Sequence, residues 1–316
     1  MYLNTFAQNS APVDMTATDE FESLLTSAAE LGLTAPRDVR YVSRNLIANG
    51  LRLHFLEWGS PGQSPLILLH GGGQTAHSWD LVSLLLSDIF HVVALDQRGH
   101  GDTEWPRDGA RTRKPMAADA LKLQIAMGFE QPTLIGHSMG GLVAMTLLEE
   151  NPGVARKLVL VDVGPAPSSK KLKEIAAARP EPPEWDTLDA FIERVQQLDP
   201  SRSAEHVMRT ARYNIMERSD GKFVSKQDSR RAGPVPSMAA EWSMSFTNDD
   251  RRASLYSCPL LIVRGGDSKI LGQRTAEEFI APIPSATLVT VPGAGHNVHT
   301  QKSGEFVEVV RPFISS

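Results

Sequence analysis

From about residue 40 onward, short apolar runs alternate with stretches of helical spacing. No other feature of this chain restricts its fold as much. Leu51 to Trp58 alternates apolar and polar residues, as a half-buried strand does. Further short, largely apolar strands follow at Pro65–Leu69, Phe90–Leu95, Gln131–His137, Lys157–Asp162, Pro259–Arg264 and Ala286–Val291. Between them the spacing predicts helices over about 76–86, 115–128, 139–150, 272–281 and 303–313. Short apolar strands separated by helices imply a mostly parallel central sheet flanked by helices, an α/β fold. Such sheets place their sites in loops beyond the carboxyl ends of the strands.

One gap interrupts the alternation. Between Asp162 and Pro259 the chain reads mainly as helix, over 170–179, 187–198 and 203–214. An insertion there, at a strand's carboxyl end, would roof the site. The expected organisation is therefore a core of residues 39–163 and 255–316, with a helical cap over 164–254. Residues 1–38 form an N-terminal arm. Within it, Phe21, Leu24, Leu25 and Ala28 have the spacing of an amphipathic helix over 17–32.

Composition excludes several classes of function. A formal net charge of -5 gives no clustered basic face for nucleic acid. The densest basic groups, Arg111, Arg113, Lys114 and Lys170, Lys171, Lys173, read as solvated surface. No apolar run reaches the roughly 18 residues that suggest a membrane helix. Cys258 is the single cysteine, so no intrachain disulfide forms, which fits a cytoplasmic protein. Cys258 precedes a buried strand and reads as a small apolar residue. No Cys/His cluster has metal-ligand spacing, and neither glycine-rich loop carries the lysine of a phosphate-binding loop, so neither metal nor cofactor is expected.

The chemistry centres on Gly136-His137-Ser138-Met139-Gly140, between a strand and an apolar helix. A bare G-x-S-x-G arises by chance about once in ten chains of this length. Its strand-to-helix setting is what a nucleophile elbow requires. The glycines remove side chains that would clash in the sharp turn, and the serine stands exposed. Two further motifs support it. His70-Gly71-Gly72-Gly73 ends a strand, where a glycine backbone N–H can face a substrate carbonyl. The oxyanion hole is assigned to the N–H groups of Gly72 and Met139, with Gly71 and Gly73 beside the substrate. Gly293-Ala294-Gly295-His296 follows the last strand, and His296 is last in chain order, as Ser-acid-His requires. His299 is the near rival, without the flanking glycines. His70 and His137 read as holding backbone around the site.

These motifs, with Asp96-Gln97-Arg98-Gly99-His100-Gly101, Val159-Leu160-Val161-Asp162 and Arg264-Gly265-Gly266-Asp267, resemble the α/β-hydrolase superfamily over residues 40 to 315, in its cap-containing serine hydrolase branch. The resemblance implies an acid in the loop after strand 259–264. Similar sequences often carry it about where Lys269 stands. Asp267 is assigned in its stead, and Asp162 is the alternative because some relatives place the acid there. In such proteins Asp96 and Arg98 organise loops, binding backbone and each other.

A serine nucleophile implies acyl transfer to water rather than displacement by an aspartate. The expected activity is hydrolysis of a small-molecule carboxylic ester through an acyl-enzyme. The alternatives are carbon–carbon bond hydrolysis of a vinylogous diketone and a non-catalytic hydrolase-like receptor. In the cap, Trp185, Phe223 and Trp242 are the candidate substrate residues. Along with Phe191, Met208, Met216, Met244 and Phe246, they read equally as packing for the cap's own core. Oligomeric state is not legible.

Overall fold

A computed structural model of the protein describes residues 17–35, 39–164, 184–198, 204–228, 256 and 258–316. The helix expected at 170–179, the lysines at 170, 171 and 173, and Trp242, Met244 and Phe246 lie outside the described residues.

The chain opens with helix α1 (Ala17–Glu30). Strands β1 (Tyr41–Ala48), β2 (Leu51–Trp58) and β3 (Ser64–Leu69) follow, then a 3-10 turn (Ala76–Trp79) and α2 (Asp80–Leu86). Next come β4 (Phe90–Leu95), α3 (Arg113–Ala126), β5 (Thr133–His137), α4 (Met139–Glu150) and β6 (Lys157–Val161). The insertion holds β7 (Glu184–Trp185), α5 (Leu188–Leu198), α6 (Ala204–Asn214), β8 (Ile215–Glu217) and β9 (Phe223–Ser225). The chain ends with β10 (Leu260–Gly265), α7 (Gln273–Ile280), β11 (Ala286–Val291), α8 (Val298–Gln301) and α9 (Ser303–Ser315).

Eight strands form the main sheet in the order β1-β2-β4-β3-β5-β6-β10-β11. β1 and β2 are antiparallel, β2 is antiparallel to β4, and the remaining pairs are parallel. The buried runs explain this arrangement. In β3, Leu66 and Leu68 pack against α2 and α9, while Ile67 and Leu69 face α3 and α4 on the other side. A strand apolar on both faces belongs in the middle of a two-sided sheet. β1 is the exception. Most of its residues are exposed or half-exposed, and it is held by pairing with β2 through Asn49-Gly50, both at positive φ. That is the dipeptide a two-residue hairpin favours.

Helix α1 docks on the core through the face predicted from its spacing. Phe21, Leu24 and Ala28 are buried among Trp58, Trp79 and Leu81. The insertion has a small core of its own: Phe191, Ile192, Val207, Ala211 and Ile215, covered by Trp185 and Phe223. Polar and ring contacts tie it to the rest of the chain. Arg209 of α6 pairs with buried Asp80 at 2.8 Å. Tyr213 stacks on His77 with ring centroids 3.4 Å apart, and its hydroxyl donates to Glu20 of α1. Farther along, Lys226 pairs with Asp102, and the Asp228 N–H donates to the Gly99 carbonyl. Among the described residues, no helix is long and apolar enough to cross a membrane.

Candidate active site

The adjacent strands β3, β5, β6 and β10 end side by side, and the residues after them converge. Between β5 and α4 stands Ser138, with φ 50° and ψ -113°. Its N–H donates to the Val161 carbonyl of β6, and its own carbonyl accepts from Leu142 as α4 begins. The turn is tight enough that a Cβ on Gly136 would lie 2.5 Å from the Gly140 carbonyl oxygen. Ser138 is partly exposed within a stretch where its neighbours on both sides are buried.

Only three non-glycine residues among those described have positive φ: Asn49, Ser138 and Asp162. Two of these three lie in this site. Strained backbone persists where surrounding structure over-determines it, and it concentrates at functional positions. Asp162, at φ 47°, follows β6 and is fully buried. Its carboxylate accepts three hydrogen bonds. The Gly265 N–H reaches Oδ1 at 3.1 Å, while the Ser268 hydroxyl and His296 Nδ1, the latter at 2.7 Å, reach Oδ2.

The carboxylate that meets His296 is thus Asp162 and not the expected Asp267. Asp267 is exposed, and its N–H donates to the Ala294 carbonyl, so it behaves as a turn residue. The cause is the tight path of the loop after β10. The Gly265 backbone and the Ser268 side chain both turn back onto Asp162, and this leaves Asp267 facing outward. Ser268 was not anticipated from sequence. A hydroxyl three residues from a strand end carries no signal until its neighbour strand is known.

His296 keeps 29% of its side chain exposed, and its other face meets His137, with ring centroids 4.7 Å apart. The rival His299 is fully buried, 4.1 Å from the Trp79 ring centroid, in a packing position. His137 lies immediately before Ser138, and its ring meets those of both His296 and His299, the latter with centroids 4.5 Å apart, which brings the histidine loop against the elbow. Burial, with the nearby imidazoles of His299 and His296, holds His137 well below the usual histidine range, so its ring is neutral.

The glycine loop closes the site from the β3 side. Gly71 is buried, Gly72 half-buried and Gly73 exposed. A Cβ on Gly140 would collide with the Leu69 and His70 carbonyls, so the start of α4 presses on the end of β3. Gly72 and the Met139 N–H therefore belong to abutting segments. His70 anchors the loop beneath. Its Nδ1–H donates to the Gly71 carbonyl, while Nε2 accepts from the Gln97 N–H at 3.0 Å. That tautomer is neutral, and burial lowers the His70 pKa accordingly.

Asp96 also organises backbone. It accepts from the Ala76 and Asp102 N–H groups and pairs with His54 at 2.7 Å. Burial opposes its charge, yet the His54 imidazole, nearby His70 and the Ala76 N–H outweigh it and hold Asp96 at about 2. Arg98 does not pair with Asp96 as anticipated. Its guanidinium forks onto buried Asp119 at 2.6 and 2.7 Å, because α3 presents that carboxylate and Asp96 is already filled by donors. His54, Asp96 and Asp102 lie close enough to share a cation. Protein donors already take these carboxylates, Lys226 engaging Asp102.

Of the cap candidates, Trp185 and Phe223 are cross-strand partners on β7 and β9, packed against the insertion's own core. Gln227, beyond β9, brings its side chain within 3.4 Å of where a Cβ on Gly73 would stand. The end of the insertion thus reaches over the glycine loop. A polar cavity lined by Gln74, His77, Arg209, Thr210, Asn214 and Asn297 separates α6 from the core.

The chain is similar to known proteins. Residues 64–303 match the model of a family described as alpha/beta hydrolase fold. The esterase Rv0045c of Mycobacterium tuberculosis is 30% identical over 310 residues, covering 94% of this chain and 96% of that protein. A crystal structure of Rv0045c aligns with a TM-score of 0.74 at 25% identity, over 96% of this chain and 100% of that one. The 3-hydroxybutyrate-oligomer hydrolase of Cupriavidus necator is 28% identical over 257 residues, 78% of this chain and 87% of that protein. In fold alone, E-2-(acetamidomethylene)succinate hydrolase matches with a TM-score of 0.74 at 22% identity, over 88% and 100% of the two chains. Convergent strand ends, a strained elbow serine and a family match over most of the chain lead to one assignment: this protein belongs to the alpha/beta hydrolase fold family.

Proposed function

We propose that this hydrolase cleaves a carboxylic ester through an acyl-enzyme, with Ser138 as nucleophile, His296 as general base and acid, and Asp162 as the orienting carboxylate. The observation that carries this reading is the 2.7 Å bond from His296 Nδ1 to buried Asp162, beside a strained, partly exposed serine. A proton held on Nδ1 leaves the Nε2 lone pair to accept the Ser138 proton. As that proton moves, the Ser138 oxygen bonds to the ester carbonyl carbon, and the carbonyl pair moves onto oxygen. The N–H groups of Gly72 and Met139 receive that negative charge, each worth ~3–4 kcal/mol in comparable sites. The imidazolium faces the Asp162 carboxylate, which Gly265 and Ser268 hold in place by donating to it. Collapse breaks the ester C–O bond, and His296 protonates the departing alkoxide. Water repeats the sequence and releases the acid.

Ester chemistry is further supported by the relative named an esterase, matched over nearly the full chain. The insertion serves as the cap. It is anchored by Arg209–Asp80 and the Tyr213–His77 stack, and its end lies over Gly73. Labelling with a fluorophosphonate, followed by peptide mapping, tests the nucleophile. Label on Ser138, with a p-nitrophenyl ester activity that vanishes in Ser138→Ala, is the expected result. A folded, unlabelled protein would overturn the reading.

A further inference from the structure

We propose that Gln74 is a positioning residue that joins the three loops of the site, setting the oxyanion turn around Gly72 against both the elbow and the histidine loop. The inference rests on the reading of Ser138, Gly72 and His296 given above.

Gly71, Gly72 and Gly73 stand in succession, and glycine has more backbone freedom to lose than any other residue. A run of three cannot hold an N–H in a fixed direction by itself. An oxyanion donor acts only if it is fixed before the charge develops. The restraint comes from the next residue. The Gln74 N–H donates to the Gly71 carbonyl at 3.2 Å, and the Gly71 N–H donates back to Gln74 Oε1 at 2.9 Å. Gly72 is thereby enclosed in a turn closed by two reciprocal hydrogen bonds.

The same side chain reaches outward on two sides. His137 Nδ1, next to the nucleophile, lies 3.0 Å from Gln74 Oε1. Gln74 Nε2 donates to Asn297 Oδ1 at 3.2 Å, one residue beyond His296. His137 Nε2 lies 3.0 Å from the His296 carbonyl oxygen, and the neutral ring, with a single N–H, donates either to that oxygen or to Gln74 Oε1. As placed, Oε1 accepts from the Gly71 N–H; reversed, the amide NH2 would face that N–H, two donors together. A simple turn cap explains the Gly71 bonds but not the reach to Asn297 across 223 positions of sequence.

The test compares Gln74→Met, Gln74→Glu and Asn297→Ala with the wild type on p-nitrophenyl butyrate and on a trifluoromethyl ketone that forms a tetrahedral adduct. Gln74→Met keeps side-chain length and loses every side-chain hydrogen bond. Its kcat should fall ~50-fold, with KM unchanged within about threefold, as misplaced catalytic groups act on the transition state. Affinity for the ketone should fall in parallel. Gln74→Glu keeps the acceptor for Gly71 and should recover about tenfold of that loss. Asn297→Ala should cost about fivefold alone and nothing further when added to Gln74→Met, because the two act as one unit. A Gln74→Met enzyme with kcat within about threefold of wild type, or Gln74→Glu as impaired as Gln74→Met, overturns the inference. Should Gln74→Met fail to fold, Asn297→Ala at wild-type kcat overturns it equally. A wild type that fluorophosphonate does not label overturns the functional reading beneath it, and that failure is visible before any variant is compared.

Discussion

Replacing Asp162 with asparagine tests the assignment of the acid with little change of shape. The carboxylate accepts from Gly265 N–H, Ser268 O–H and His296 Nδ1–H. An asparagine amide offers one oxygen and an NH2 group in the same space. With its oxygen toward the Gly265 N–H, the NH2 faces Ser268 and His296. The Ser268 hydroxyl rotates to accept. His296 accepts only by moving its proton to Nε2, the nitrogen that must take the Ser138 proton. The ring is then in the wrong tautomer, a change that costs about 10⁴-fold in rate in a comparable triad. Four decades correspond to ~5.4 kcal/mol of transition-state stabilisation. The rearranged contacts also lower folding stability by ~1–3 kcal/mol, which urea denaturation reads separately. The assay is kcat/KM on a p-nitrophenyl ester, with Asp267→Asn as control. Exposed Asp267 should change kcat/KM by less than about twofold and stability by ~0.5 kcal/mol or less. An Asp162→Asn enzyme within tenfold of wild type, or an Asp267→Asn enzyme that loses three decades, would refute the reasoning.

Two further outcomes concern stability. Buried His70 and His100 are held below the ordinary histidine value by burial, His100 to about 3. The unfolded chain takes up these protons near pH 6.5 and the folded chain does not. Stability present above pH 6.5 is therefore lost as pH falls below it, by ~1.4 kcal/mol per pH unit for His100 down to about 3 and in the same direction for His70. Urea midpoints measured between pH 7.5 and 5.5 should drop, and a flat profile over that range would refute the two neutral rings. Phe21 is 2% exposed in the docked face of α1, so Phe21→Ala should cost ~3 kcal/mol or more in the same assay. A cost below ~1 kcal/mol would show that this helix does not belong to the folded core.

Where a local pattern decides structure, the sequence was sufficient. The central strands carry continuous apolar runs because both their faces are covered, and α1 shows its buried face as Phe21, Leu24 and Ala28. The elbow was legible because strand, Gly-x-Ser-x-Gly and apolar helix are contiguous. β1 was not, since its side chains face mostly solvent and leave no alternation to read. Its trace was the Asn49-Gly50 dipeptide. Arg98 was misassigned to Asp96 because the resemblance to similar proteins suggested that pair, while Asp119 reaches Arg98 only through the packing of α3.

The acid shows this division most clearly. Sequence alone determined that a serine, a carboxylate and a histidine occur in that chain order, and that glycines flank the two motifs. It favoured Asp267 over Asp162, although each simply follows an apolar strand. Tertiary structure decided between them. β6 lies between β5 and β10, so its end is the one shared by the elbow and the returning loop. Pairing across the sheet is a non-local choice, and so is the bend by which Gly265 and Ser268 meet Asp162. No local spacing encodes either one, and the identity of the histidine's partner depends on both.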